Sequence, residues 1–403
     1  MGSNPTRSAE LPGPPAVSPS VIRETPCVRE LVVRGASVWR GDEWRIADVA
    51  CRDGVIVDVG GRDAIEIDGA GLCATPGFID LQCNGAMGID LPSQPERIWE
   101  LGAALPRWGV TAWLPTIVTG PQEIVERALA TLAAGPPEGW IGAVPIGLHL
   151  EGPFLSASKR GAHPESLLRA PTRDASAGWS RERGVALVTI APELDGALDV
   201  IRTLVADGVV VSLGHSAATA AQATEAVDAG ARWVTHLFNA MSPLHHREPG
   251  LTGVALTDER LYAGLIADGV HVHPQAVAIA QRSLGCRLTL VTDAVAALGM
   301  AAGAHAFGRT MVSVGDDGVR LADGTLAGSN LSMDQAVRNL IAFTGCPREV
   351  ALTAASSAPA SLLTDPVRGT LAVGARADIV LLDDGLEVVA TVVSGSLAHS
   401  TDP

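Results

Sequence analysis

No run of about 18 uncharged apolar residues occurs in this 403-residue chain, although 47% of it is hydrophobic and its mean hydropathy is +0.25. No membrane-crossing helix is therefore expected, and the apolar residues are left for a large core. Clustered basic residues are missing too: the formal net charge is −15 and the pI near 5.1. That balance argues against a nucleic-acid footprint and offers an anionic substrate no long-range attraction, so any anion must be held by a local group. The six cysteines, Cys27, Cys51, Cys73, Cys83, Cys286 and Cys346, contain no CxxC pair, a scatter that suits reduced thiols rather than a disulfide framework. No positively charged segment followed by an apolar one opens the chain, so no signal peptide is expected and the protein is read as cytoplasmic. Residues 1–28 carry LPGPPAVSPS and too little apolar surface to order themselves, which predicts a mobile arm.

What is present begins with short β-rich segments broken by Gly and Asp. From Glu30 to Ala74 these read as hairpins, with Asp53-Gly54 a turn signal, and the far end speaks the same way at Gly369–Leu371, Ala377–Leu382 and Val388–Gly395. Neither end makes a stable sheet alone, so a small β-sandwich built from 29–75 and 366–403 is predicted. Between them, over 76–365, lies a β/α alternation. Eight strands are expected, at Gly77–Leu81, Thr111–Ile117, Val144–Leu150, Val185–Ile190, Val209–Leu213, Trp233–Thr235, Leu261–Ile266 and Leu288–Thr292. Helical patterns fall at Pro95–Trp108, Pro121–Ala134, Leu194–Ala206, Ala217–Ala229 and Pro274–Leu284, with two more at Leu331–Phe343 and Arg348–Leu363. The expected fold is α/β, a TIM-like (β/α)8 barrel carrying the sandwich.

Four of these apolar runs end in an ionisable group. Val144 to Leu150 delivers Glu151, Gly208 to Leu213 leads to His215, Arg232 to Thr235 to His236, and Arg287 to Thr292 to Asp293. Parallel strands are buried on both faces, so the first charged residue at a carboxyl end faces the crevice where such barrels keep their sites. Catalytic zinc takes three ligands from imidazole nitrogen and carboxylate oxygen and keeps one position open. Glu151, His215 and His236 supply that set and leave Asp293 to handle protons, although a carboxylate at the eighth strand's end suits either a proton carrier or a ligand.

The ordered segments PGFIDLQCNG, PTIVT, LHLEGPF, KRGAH, VTIAPE, GHSAAT, THLFNAM, REPGLTG, ADGVHV, VTDA and DGTLAGS, spread from about Leu31 to the end, resemble the N-acetylglucosamine-6-phosphate deacetylases of the amidohydrolase superfamily. The resemblance implies hydrolysis of N-acetylglucosamine 6-phosphate to glucosamine 6-phosphate and acetate, with Glu151, His215 and His236 as metal ligands and Asp293 as the catalytic carboxylate. It also implies His163 as a donor to the developing oxyanion and His271 as a sugar contact. Many amidohydrolases hold a second metal with a His-x-His pair after the first strand, where this chain has Gln82 and Asn84. Amides are poor ligands for such ions, so one divalent ion, zinc by expectation, is foreseen, with Gln82 and Asn84 ordering water or merely capping the strand. Arg247 is the natural phosphate fork, assisted by Asn239 and the Ala240 amide, and Glu248 is expected to pair with Arg247. In the family the Arg-bearing loop reaches a neighbouring subunit, so a homodimer is expected. His245, His246, His273 and His305 are expected to be solvated or structural. The rival readings are the same amide chemistry on a different N-acyl sugar, and an inert scaffold, which would be expected to have lost one of the four groups.

Overall fold

A computed structural model describes residues 30–39, 43–61, 64–308, 310–315 and 317–401; the expected N-terminal arm lies outside them. At the centre stand eight strands, β1 (Phe78–Cys83), β2 (Val110–Val118), β3 (Leu148–Glu151), β4 (Val185–Ile190), β5 (Val210–Leu213), β6 (Trp233–Val234), β7 (Tyr262–Leu265) and β8 (Leu288–Leu290). Each is hydrogen-bonded in parallel to the next. The seam between β8 and β1 closes just beyond the strands, where Cys83 bridges Ala294, Asn84 N–H donates to the Ala294 carbonyl at 2.8 Å, and Asp293 N–H donates to the Gln82 carbonyl at 2.9 Å. All six residues of β1 and all six of β4 are buried, which is why β4 reads as a near-continuous apolar run, whereas β1 also carries the buried Asp80 and Gln82.

The expected third strand is split. Val144–Pro145 and Leu148–Glu151 both pair with β2, and Gly147 between them sits at φ +122, a conformation open to glycine. Helices Gln122–Ala134, Ala197–Ala206, Ala220–Asp228 and Pro274–Leu284 stand near their expected places, the third closed by a Thr219–Gln222 capping box. Pro95–Trp108 is a short helix, Ile98–Ala104, with a 3-10 turn at each end, and Arg348–Leu363 breaks at Ser356 into two.

Besides the short antiparallel pair Gly85–Ala86 and Ile89–Asp90, two larger features were not foreseen. Helix Gly250–Thr257 follows β6, and because seven of its eight residues are buried it shows no amphipathic period. After β8, strands Gly303–Phe307, Thr310–Gly315 and Gly318–Arg320 form an antiparallel sheet with its own core of Val295, Phe307, Val312, Val314 and Val319, against which Val118 and Ala162 pack.

The chain ends do share one sheet. Strands Ile379–Leu382, Val388–Val393 and Ser396–Ser400 join Cys73–Pro76, Leu31–Trp39, Trp44–Arg52 and Val55–Val57. Leu31–Trp39 pairs with Ile65–Asp68 along its first half and with Cys73–Pro76 along its second, so the sheet forks around Leu31, Val33, Val38, Cys51, Ile379 and Leu381. The Asp53-Gly54 turn joins Trp44–Arg52 to Val55–Val57, both turn residues at positive φ (49 and 76).

Candidate active site

Glu151 is the last residue of β3, whereas His215, His236 and Asp293 each lie two or three residues beyond β5, β6 and β8. Those three adopt left-handed backbones, φ +47, +30 and +48, as do Phe238 and Ala240 at +78 and +50. Non-glycine residues tolerate this region only where surrounding contacts impose it, and such residues cluster at functional sites.

Three of these side chains meet at Glu151. Its Oε1 lies 3.1 Å from His215 Nε2 and 3.0 Å from His236 Nε2, and the two nitrogens are 3.0 Å apart. Burial alone would raise the Glu151 carboxyl, but the imidazoles of His215 and His236 beside it, when protonated, outweigh burial and hold the group well below the ordinary carboxylate value. His215 Nδ1 lies 2.9 Å from the Lys159 carbonyl, which can only accept, so Nδ1 carries the hydrogen and a neutral ring presents the Nε2 lone pair to Glu151. Three lone-pair atoms aimed at one another repel unless a cation lies among them. One carboxylate oxygen and two imidazole nitrogens, one ring oriented by a backbone carbonyl, fit the donor set of a divalent metal ion.

Asp293 faces this cluster. Asn84 Nδ2 donates to its Oδ1 at 2.7 Å and Gln82 Nε2 at 3.1 Å, and the same Gln82 nitrogen donates to Glu151 Oε1 at 3.1 Å. Burial, and after it the charge of Glu151, pushes the Asp293 carboxyl up to about 7. Gln82 Oε1 and Asn84 Oδ1 are buried and unpartnered among the described residues.

His163 comes in from the loop after β3 and is 6% exposed. Its Nδ1 accepts the Thr119 N–H at 3.3 Å, so a neutral ring bears its hydrogen on Nε2, which lies 3.9 Å from Glu151 Oε2. Burial first, then the neighbouring His215, lowers this imidazole to about 3, so it stays an uncharged donor. His271, past β7, donates from Nδ1 to Asp268 Oδ2 at 2.6 Å.

The remaining expected contacts stand apart from this group. Asn239 donates its amide to the His236 and Leu237 carbonyls at 3.2 and 3.3 Å, and the Ala240 carbonyl accepts from Ser216 N–H at 3.1 Å. Arg247 is exposed, with Nη1 2.8 Å from His246 Nε2. The expected Arg247–Glu248 pair is not formed: Glu248 Oε1 accepts instead from Ala220 N–H at 2.8 Å and Gly250 N–H at 3.2 Å, tying its loop to a helix start. His273 caps helix Pro274–Leu284 by accepting Gln275 N–H, a structural use.

Thr119, Lys159, Asp268 and Glu193 entered the sequence reasoning only as members of the segments PTIVT, KRGAH, ADGVHV and VTIAPE, with no role of their own. Asp80 was quoted only as part of its motif. It is buried and accepts the Thr292 hydroxyl at 2.6 Å, clamping β1 to the segment before Asp293, and burial raises it to about 7. A charged residue inside the apolar run FIDL was the available signal.

Residues 73–398 match the amidohydrolase family model. N-acetylglucosamine-6-phosphate deacetylase of Bos taurus is 43% identical, the alignment covering 97% of this chain and 98% of that protein. N-acetylgalactosamine-6-phosphate deacetylase of Escherichia coli O157:H7 is 41% identical over 89% of this chain and 96% of that one. Among solved structures, a variant of the Mycobacterium smegmatis N-acetyl-D-glucosamine-6-phosphate deacetylase, in complex with N-acetyl-D-glucosamine-6-phosphate, is 35% identical, with a TM-score of 0.83 over 92% of this chain and 100% of that one.

Proposed function

We propose that this chain, which belongs to the amidohydrolase family and groups with its N-acetylglucosamine-6-phosphate deacetylases, hydrolyses N-acetylglucosamine 6-phosphate to glucosamine 6-phosphate and acetate. The observation that carries the reading is Asp293, its Oδ1 held by Asn84 and Gln82 and its carboxyl facing the Glu151–His215–His236 cluster. An amide is a poor electrophile with a poor leaving group, so water must be deprotonated, an oxyanion stabilised and the departing nitrogen protonated.

Glu151 Oε1, His215 Nε2 and His236 Nε2 would hold one divalent ion, zinc by the chemistry of the donors, and when bound it supplies an electrophile and lowers the pKa of water. With Oδ1 engaged by Asn84 and Gln82, Asp293 Oδ2 takes the proton of the attacking water and returns it to the sugar nitrogen. His163, neutral with its hydrogen on Nε2, donates to the carbonyl oxygen as charge develops there. His271, oriented by Asp268, contacts the sugar. Arg247, exposed and held by no acidic group among the described residues, reads the phosphate, assisted by Asn239 and the Ala240 amide, in a homodimer where its loop reaches the neighbouring site. Asn239 must then release the His236 and Leu237 carbonyls. The protein works in the cytoplasm.

The test is acetate release from N-acetylglucosamine 6-phosphate, its galactosamine epimer and unphosphorylated N-acetylglucosamine. Turnover of the first, with the unphosphorylated sugar far poorer, is expected. Release tenfold faster from the epimer would transfer the reading to a different N-acyl sugar, and no release from any of the three would end it.

A further inference from the structure

We propose that Glu193, on the loop after β4, is a positioning residue that sets the backbone of His215 and, through Ser216, the segment carrying Asn239 and Ala240. Both of its carboxylate oxygens are used, and both on one neighbouring loop. Oε2 accepts the Ser216 hydroxyl at 2.7 Å and Oε1 accepts Ala217 N–H at 2.6 Å. Hydrogen bonds to an ionised acceptor are short and strong, and these two fall on the residues directly after His215, whose backbone stands at φ +47. Among the described residues Glu193 has no ion-pair partner, so its charge serves these backbone and hydroxyl donors rather than a cation.

Ser216 carries the constraint onward. It is fully buried, and its Oγ also accepts Ala218 N–H at 3.0 Å. Its N–H donates to the Ala240 carbonyl at 3.1 Å, its carbonyl accepts Ser242 N–H at 2.9 Å, and it bridges Met241 in parallel. The segment so gripped runs on from His236 and holds three left-handed residues, His236, Phe238 and Ala240. One carboxylate thus braces the two loops that supply His215 and His236, as well as the peptide beside the substrate contacts. Strained backbones keep their shape only when several contacts impose it, and partners of metal-binding side chains typically change affinity 10- to 100-fold when removed.

The metal part of this inference needs only the Glu151–His215–His236 cluster, while the substrate part rests on the deacetylase reading. Glu193→Ala, Glu193→Gln and Ser216→Ala would each be compared with the parent protein for zinc affinity, by competition with a chromophoric chelator, for kcat and KM, and for Tm. Glu193→Ala is expected to weaken zinc binding about 10-fold or more and to raise KM more than it lowers kcat. Glu193→Gln keeps the acceptor for Ala217 N–H and should recover zinc affinity to within about 3-fold. If Glu193→Ala does not fold, Ser216→Ala, which deletes only a hydroxyl, should still weaken zinc at a Tm near that of the parent. Zinc affinity unchanged in the folded variants, or lost equally in the Gln variant, overturns the assignment. If the parent protein binds zinc but releases no acetate, the deacetylase reading fails while the chelator measurement still decides the role of Glu193.

Discussion

Asn84 and Asp293 meet across the barrel seam at 2.7 Å, an amide nitrogen donating to one carboxylate oxygen. That bond leaves the other oxygen for proton transfer and steadies the ionised form against burial and the charge of Glu151, the two causes that raise the group to about 7. Because a base must be unprotonated, activity is lost as pH falls through its pKa, and the cation it faces moves that limb below the metal-free value. Asp293→Asn should keep metal content near that of the parent, remove the acidic limb of kcat/KM and lower kcat by about 10²–10⁴. Asn84→Ala should keep the limb and move it to higher pH. Metal loss in Asp293→Asn, with activity restored by excess metal, would make Asp293 a ligand.

The Gln82 and Asn84 amides occupy the place of a His pair and are already spent on Asp293 and Glu151. Elemental analysis should therefore find close to one divalent ion per chain, and His236→Ala should lose both metal and turnover. A reproducible value near two, with both ions needed, contradicts this.

His163 is expected to polarise the substrate carbonyl as a neutral donor. His163→Phe should retain the metal and lower kcat by about 10²–10³, the usual cost of one oxyanion donor, with little change in KM. Since burial and His215 lower this imidazole to about 3, its own titration should leave no mark on the profile above about pH 5.

Arg247 has no acidic partner among the described residues, so its guanidinium is available to phosphate. Arg247→Ala should reduce kcat/KM for the phosphorylated sugar by roughly two orders of magnitude or more and leave the slow reaction of the unphosphorylated sugar nearly unchanged. Equal losses on both would assign Arg247 another task.

His149, under the site, is fully buried, with Nε2 2.8 Å from Thr189 Oγ1. Burial is the main cause that lowers it from 6.5 to about 4. A depressed folded pKa contributes stability that is present above 6.5 and lost as pH falls toward about 4, because only the unfolded chain takes up the proton. Asp80 and Asp293, both raised, act in the opposite sense over the same range. The comparison with His149→Gln isolates the imidazole: the variant should lose roughly 2 kcal/mol less stability than the parent between about pH 7.5 and pH 5, read from denaturation at both. An identical pH response would show that His149 does not remain neutral when folded.

Periodicity and strand-end chemistry were legible in the residues themselves. Glu151, His215, His236 and Asp293 each end or follow an apolar run, and a closed parallel barrel must bring such positions to one rim. Asp53-Gly54 likewise announced its turn through two residues that tolerate positive φ. Helix Gly250–Thr257 stayed hidden because burial on every side leaves no amphipathic pattern to read, and the sheet over Gly303–Arg320 because its strands pair only with one another in short alternating pieces.

What the tertiary structure alone decided is how the site's side chains are oriented. The Lys159 carbonyl selects the ring nitrogen that His215 presents, Thr119 N–H does the same for His163, and Glu193 reaches Ser216 and Ala217 from another loop. Glu248 answers backbone amides instead of its neighbour Arg247. Apart from the Glu248–Gly250 contact, these choices rest on directional hydrogen bonds between residues 23 to 56 positions apart, some of them to backbone groups that every residue carries. A backbone amide or carbonyl has no signature in the amino-acid text, so only the register of the barrel and the course of its loops determine which side chain it meets.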